Sequence, residues 1–289
     1  SDLYSADLTD PQGVADLVEL LRQQRGPLVG VVHVLPLKAG PAFEEMDLSL
    51  WRLRLRLEVK SLFYLARAAG PDLKRAADAT GGWLLAATAM GGSFASDGGE
   101  RPSTFFPGQG GIAGLVKTLA LEWPTVCCKA VDMGQEEPPA VVANRLLGEL
   151  AARDGQAEVG HAGARRLVIR PRLASLDPNS SSGLAIDSSW VVLVTGGARG
   201  ITAEVVCELA ARYRPTLVVV GRTPLPDPEE APETAGLTSP QKLKVALIAQ
   251  MRRTGQPVMP AQVEAACARV LREREMRSNL AAMQQAGAT

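Results

Sequence analysis

The stretch from Val191 to Thr202, Val-Val-Leu-Val-Thr-Gly-Gly-Ala-Arg-Gly-Ile-Thr, constrains this chain more than any other. Its apolar run reads as a buried strand, which then breaks into a glycine-rich turn. Ala203 to Arg212 follows with helix-forming composition and apolar Val205, Val206, Leu209 and Ala210. A strand, a tight turn and an opening helix are the setting in which such a loop binds phosphate. The helix start offers unpaired N–H groups and partial positive charge, and glycines let a pyrophosphate approach the backbone. On this reading Thr195, Gly196, Gly197, Ala198, Arg199, Gly200 and Ile201 form the phosphate loop. Thr202 stands where a third glycine ordinarily lets helix and strand pack closely.

The next apolar run, Leu217 to Val220, ends in Gly221-Arg222-Thr223. A site for NAD carries an acid there for the ribose 2′-hydroxyl, and no acid occurs before Asp227. Arg222, with Arg199 in the loop, instead offers planar donors to a 2′-phosphate. Gly221, Arg222 and Thr223 therefore join the cofactor-binding set, and NADPH is expected over NADH.

The 289 residues carry 31 basic and 31 acidic side chains, and 46% of them are hydrophobic. That length allows two cores. A net charge of zero gives no reason to expect nucleic acid or an anionic membrane as a partner. No apolar run approaches the roughly 20 residues needed to span a bilayer. The beginning, Ser1-Asp2-Leu3-Tyr4, lacks the basic and apolar regions of a signal peptide. Cys127, Cys128, Cys207 and Cys267 form no CxxC pair, so reduced thiols in a cytoplasmic protein are expected, the adjacent pair in strand core.

Before the phosphate loop, helical and apolar segments alternate. Gln12 to Arg25 has a helical stripe, with Asp10 as cap and Pro11 at the first helical position. Leu28 to Leu37 reads as a buried strand, and Leu48 to Leu73 as a long helix with Leu50, Leu53, Leu57, Leu62 and Leu65 inward. Arg52, Arg54 and Arg56 fall on its solvated face. Trp83 to Thr88 is a strand, Gly91 to Ser103 a glycine- and serine-rich loop, and Gly111 to Glu122 a helix. Val126 to Val131, Asn144 to Ala152 and Leu167 to Ile169 read as strand, helix and strand. Such alternation predicts an α/β fold with parallel sheets.

The organisation expected is a first unit over 1–176, a Pro/Ser/Gly-rich linker over 177–189 and a second unit over 190–289. The first unit reads as the later part of a doubly wound fold. The second holds the phosphate loop and a helical insertion over 238–287, and it reads as cut short after two strands. In the insertion, Leu243, Leu247, Ile248 and Met251 stripe one helix, and Val263, Ala266, Val270, Leu271 and Leu280 the next. Arg272 to Glu275 fall on or near its wet face. This helical pair reads as a lid, a dimer contact or a docking surface.

Thr195 to Thr202 together with Gly221-Arg222-Thr223-Pro224-Leu225-Pro226 resembles the short-chain dehydrogenases, which are Rossmann-like. More closely, the chain resembles the ketoreductase domains of modular polyketide and polyunsaturated-fatty-acid synthases. Met90 to Phe94, Ala113 to Lys117, Glu122-Trp123 and Glu158 to His161 look like landmarks of the structural, non-catalytic half of those domains. The helical segment after Pro240 looks like an insertion found in one subset of them. The resemblance implies NADPH-dependent reduction of a β-ketoacyl chain tethered through phosphopantetheine to an acyl carrier protein. It also implies neighbouring synthase domains as partners and allows a homodimer. The alternatives are a stand-alone NAD(P)-dependent dehydrogenase or epimerase, and a non-catalytic nucleotide-binding module.

Anchoring the family's helix on Gly114 to Glu122 puts Phe105 at the catalytic tyrosine and Gln109 at the lysine, with Thr88 near the serine. Phe105 has no hydroxyl and Gln109 no charge, so the first unit reads as a degenerate copy. None of Tyr4, Tyr64 and Tyr213 lies in Tyr-x-x-x-Lys. No catalytic residue is assigned; those of the second unit are expected after Thr289, so this piece alone is expected to be inactive. His33 and His161 lack metal-ligand spacing and read as core or loop residues. Asp7 and Asp10 read as strand end and helix cap.

Overall fold

The computed structural model describes residues 3–38, 40–96, 105–134, 137–175 and 185–289. The chain divides into two units, Ser1–Ala174 and Ser175–Thr289. Most of the expected linker, residues 177–184, and the later part of the Gly91–Ser103 loop lie outside the described residues.

In the first unit, α1 (Pro11–Arg25) is capped by Asp10, whose carboxylate accepts from the Gln12 and Gly13 amides. Asp7 is not a strand end; it closes a turn by accepting from the Thr9 amide and hydroxyl. The sheet runs β1 (Gly30–His33), β2 (Trp83–Thr88), β3 (Cys127–Met133), β4 (Glu158–Ala162) and β5 (Arg165–Leu167) in spatial order. The first four strands are parallel and β5 is antiparallel to β4. Helices α4 (Gly110–Glu122) and α5 (Pro139–Ala151) complete the alternation.

The continuous apolar run of β2 is explained by burial on both faces. Leu84 and Ala86 pack with Cys128 and Ala130 under Leu62, Leu73, Ile112 and Val116. Leu85 and Ala87 pack with Val131 and Met133 under Leu146. Cys127, the other half of the cysteine pair, is exposed at the start of β3 instead of lying in the core.

Four elements depart from expectation. The strand expected over Leu28–Leu37 is confined to β1, and a 3-10 turn follows at Leu35–Leu37. As the edge strand, β1 leaves Val32 exposed. The long helix breaks into α2 (Leu48–Arg54), a π-helical turn at Leu55–Lys60, and α3 (Ser61–Ala77). A π turn shifts the helical phase. Leu53 and Leu57 are thereby exposed, while Arg54, expected on the solvated face, is buried beside Glu58. Finally, Glu158–Ala162 forms an additional strand, and α5 begins at Pro139, before the expected Asn144.

In the second unit, β6 (Val191–Thr195) and β7 (Thr216–Val220) pair in parallel. Between them runs α6 (Gly200–Tyr213), and after them α7 (Pro240–Arg253) and α8 (Pro260–Gln285). Ala203, Val206 and Ala210 of α6 pack with Met283 and Leu280 of α8 and with Val194 and Leu217 of the strands. Leu243 and Leu247 of α7 meet Cys267 and Val270 of α8. The strand expected to be buried is covered on this face only, since Val191, Leu193, Val218 and Val220 are exposed on the other. Thr289 reaches the outer edge of β7, donating to Pro215 O and accepting from the Leu217 amide, a parallel-strand pattern. Among the described residues no helix is long and apolar enough to cross a membrane, and no His/Cys/Asp/Glu group is placed to hold a metal.

Candidate functional site

The glycine-rich segment is the turn between β6 and α6, and each glycine has a physical reason. Gly196 and Gly200 have positive φ, +75° and +59°, where a side chain is strained. A Cβ on Gly197 would lie 2.6 Å from Val194 Cγ1, so the tight return over β6 excludes one. Arg199 is the N-cap residue, with extended backbone, and its own side chain does not cap the helix start. Thr195, Gly196, Gly200 and Ile201 are exposed, whereas Gly197 is buried and Ala198 and Arg199 half-buried.

Gly221, Arg222 and Thr223 follow the carboxyl end of β7 and are all exposed. Strand pairing aligns Thr195 with Val220, so both strands end at the same level of the sheet. Among the described residues Arg222 makes no hydrogen bond or ion pair, which leaves its guanidinium open to a ligand. This is the edge at which open α/β sheets bind ligands.

One partner of the loop carries no local signal in the sequence. Glu275, on α8, accepts from the Gly200 amide at 2.9 Å and from Arg199 Nε at 2.9 Å. Those two bonds hold its carboxyl below the usual carboxylate range, the Gly200 bond contributing most. Four residues along α8, Asn279 donates to Ala198 O at 3.0 Å. Arg274 is not on a wet face either, since it bonds both Glu230 oxygens and the carbonyls of Thr234 and Leu237. Arg274 and Glu275, two of the residues expected on or near the wet face, thus hold α8 to the loop and to the segment before α7. Proximity across 75 residues leaves no periodicity to read.

Of the three first-unit residues that the family resemblance aligns with catalytic positions, Gln109 and Thr88 have their polar groups bonded inside the unit. Gln109 is 1% exposed. Its Oε1 accepts from the Ala89 amide, and its Nε2 donates to Pro36 O and to Glu58 Oε2. Thr88 Oγ1 donates to Asp132 at 2.7 Å, and the same carboxylate accepts from the Met90 and Phe94 amides. Phe105 is half-buried. Its neighbour Phe106 is fully buried, edge-on to Trp51 and beneath the Arg54 guanidinium. His33 is buried at the end of β1 against Ser61, and His161 pairs with Glu149.

No protein-family model matches the chain, and no curated protein matches it. Among solved structures it is similar to the adenylation, ketoreductase and pseudo-Asub multidomain structure of a keto acid-selecting NRPS module. The identity is 17% and the TM-score 0.54, over 87% of this chain and 20% of that one. It also matches an alcohol dehydrogenase from the archaeon Thermococcus sibiricus complexed with 5-hydroxy-NADP, at 17% identity and a TM-score of 0.44. That match covers 59% of this chain and 76% of the other. A citronellol catabolism dehydrogenase of Pseudomonas aeruginosa matches at 23% identity and a TM-score of 0.37, over 45% and 52%. The first likeness establishes the fold. It is a Rossmann-type α/β fold like that of a ketoreductase-bearing module, and this chain spans one fifth of that module's length.

Proposed function

We propose that this chain is the structural unit and the NADPH-binding opening of a ketoreductase in a multidomain synthase. The observation that carries the reading is the loop Thr195–Ile201 between β6 and α6, with the unpartnered Arg222 beyond β7. The loop geometry suits the cofactor: two glycines at positive φ, a helix start not capped by its own N-cap residue, and an amide that already binds a carboxylate. Gly200 and Ile201 would face the pyrophosphate, while Arg199 and Arg222 would hold the 2′-phosphate. Bound there, NADPH supplies a hydride for carbonyl reduction. The substrate in this reading is a β-ketoacyl chain on an acyl carrier protein, reduced to the β-hydroxyacyl product. Neighbouring synthase domains and a second copy of the chain are the other partners, in a cytoplasmic setting.

The first unit serves as a scaffold, because Thr88 and Gln109 are committed to its core and Phe105 has no hydroxyl. The chain by itself binds NADPH without turning it over, having no Tyr-x-x-x-Lys pair. Titration of NADPH and NADH into wild type and Arg222→Ala tests the reading. Wild type should prefer NADPH, and the variant should lose about tenfold or more of that affinity. Equal NADPH affinities would remove the 2′-phosphate assignment. Reduction of a β-ketoacyl thioester surrogate by the purified chain would overturn the assignment of a scaffold without a catalyst.

A further inference from the structure

An anion-binding loop that already holds an anion presents a competition. The Glu275 carboxylate takes the first amide of α6 with one oxygen and Arg199 with the other. The two donors it takes are those the nucleotide reading gives to a pyrophosphate and a 2′-phosphate. A carboxylate resembles a phosphate in charge sign and in bidentate geometry, so it satisfies the same donors. We infer that Glu275 is a resident competitor in the phosphate loop, and that a phosphate-bearing nucleotide enters by displacing its side chain. This rests on the nucleotide-binding reading above and adds to it the residue that sets the site's affinity.

The surroundings of Glu275 support a swing of the side chain and not a movement of the helix. On one side Arg274 fastens α8 to Glu230, Thr234 and Leu237. On the other, Asn279 fastens it to Ala198 O, and Met283 is buried against α6. The Glu275 side chain itself is 39% exposed, so it has open space to rotate into. When it leaves, Arg199 and the Gly200 amide become available together. Arg222, which has no partner to lose, gives affinity from the outset. The loop thus holds one masked and one unmasked guanidinium, and discrimination between NADPH and NADH depends on how readily Glu275 yields.

The test is a direct binding titration of NADPH into wild type, Glu275→Gln, Glu275→Ala and Arg222→Ala, with thermal melting of each to register folding. Glutamine keeps an oxygen to accept from Gly200 but loses the charge that holds Arg199. Glu275→Gln and Glu275→Ala should both bind NADPH about tenfold more tightly than wild type, and Arg222→Ala more weakly. Unchanged or weaker binding by both Glu275 variants, with wild type still binding, would overturn the competitor role and leave the nucleotide site standing. Binding by none of the folded proteins would instead overturn the nucleotide reading, and the competitor role with it. Should alanine loosen α8 enough to lower the melting temperature, the glutamine variant alone decides.

Discussion

Gln109 donates to Glu58 at 2.9 Å inside the first unit, in the place that the family resemblance gives to a catalytic lysine. The amide also bridges Pro36 O and the Ala89 amide, so three groups depend on one side chain. Replacing it with alanine strands a buried carboxylate whose remaining partner is Arg54. Gln109→Ala should therefore destabilise the unit by about 2–4 kcal/mol, read as a shift of the denaturation midpoint. A change below 0.5 kcal/mol would show that the site is not integral to the core.

His33 makes stability depend on pH. Ser61 donates its hydroxyl to Leu57 O, so its oxygen accepts from His33 Nε2, and Nδ1 has no partner. A second proton would be buried without an acceptor, and burial pulls the imidazole down to about 4 from 6.5. Below 6.5 the unfolded chain takes up the proton while the folded chain does not, so stability falls as pH drops towards 4. At pH 5 the loss relative to pH 7 should be about 2 kcal/mol. Chemical denaturation of wild type and His33→Leu at the two pH values isolates it: the leucine variant should lack that part of the slope.

The two expected features that the structure reproduces most closely are those written in contiguous residues. Trp83–Thr88 is a central strand buried on both faces, so its apolar run has no gaps, and Gly110–Glu122 carries a helical stripe. The glycine-rich turn between β6 and α6 is equally local, since strand, glycines and helix follow one another. What escaped depends on phase or on distant partners. A π turn at Leu55–Lys60 has no compositional mark, yet it exchanges the inward and outward positions of Leu57 and Glu58. The strand Glu158–Ala162 mixes charged, small and aromatic residues and is specified by its place between β3 and β5. Glu275 reads as one more charge on a helix until α8 is packed against α6.

The adjacent cysteines should differ in reactivity despite sharing a strand. Cys127 is exposed, whereas burial pushes the Cys128 thiol up to about 12, with Cys127 adding to the effect. The thiolate is the nucleophile, so a high value and a covered sulfur both slow alkylation. Iodoacetamide on the native chain at pH 8, followed by peptide mass analysis, should label Cys127 well before Cys128. Comparable labelling would mean that β3 opens on the timescale of the reaction.

Gly197 tests whether the loop's tight return is set by contact with Val194. Its backbone needs no positive φ, so the cost of a side chain here is steric and not conformational. The added methyl would lie 2.6 Å from Val194 Cγ1 and 3.3 Å from Val219 Cγ1. Gly197→Ala should destabilise the second unit by about 1–3 kcal/mol, the range for overpacking. Removing the nearest obstructing methyl, that of Val194, supplies the decisive control. Val194→Ala alone loses packing in the cluster beneath α6 and should also destabilise. The double variant should be less destabilised than the sum of the two, by about 1 kcal/mol or more, because the 2.6 Å contact is then gone and only the looser approach to Val219 remains. Strict additivity in denaturation would mean that Gly197 is required for something other than its approach to Val194.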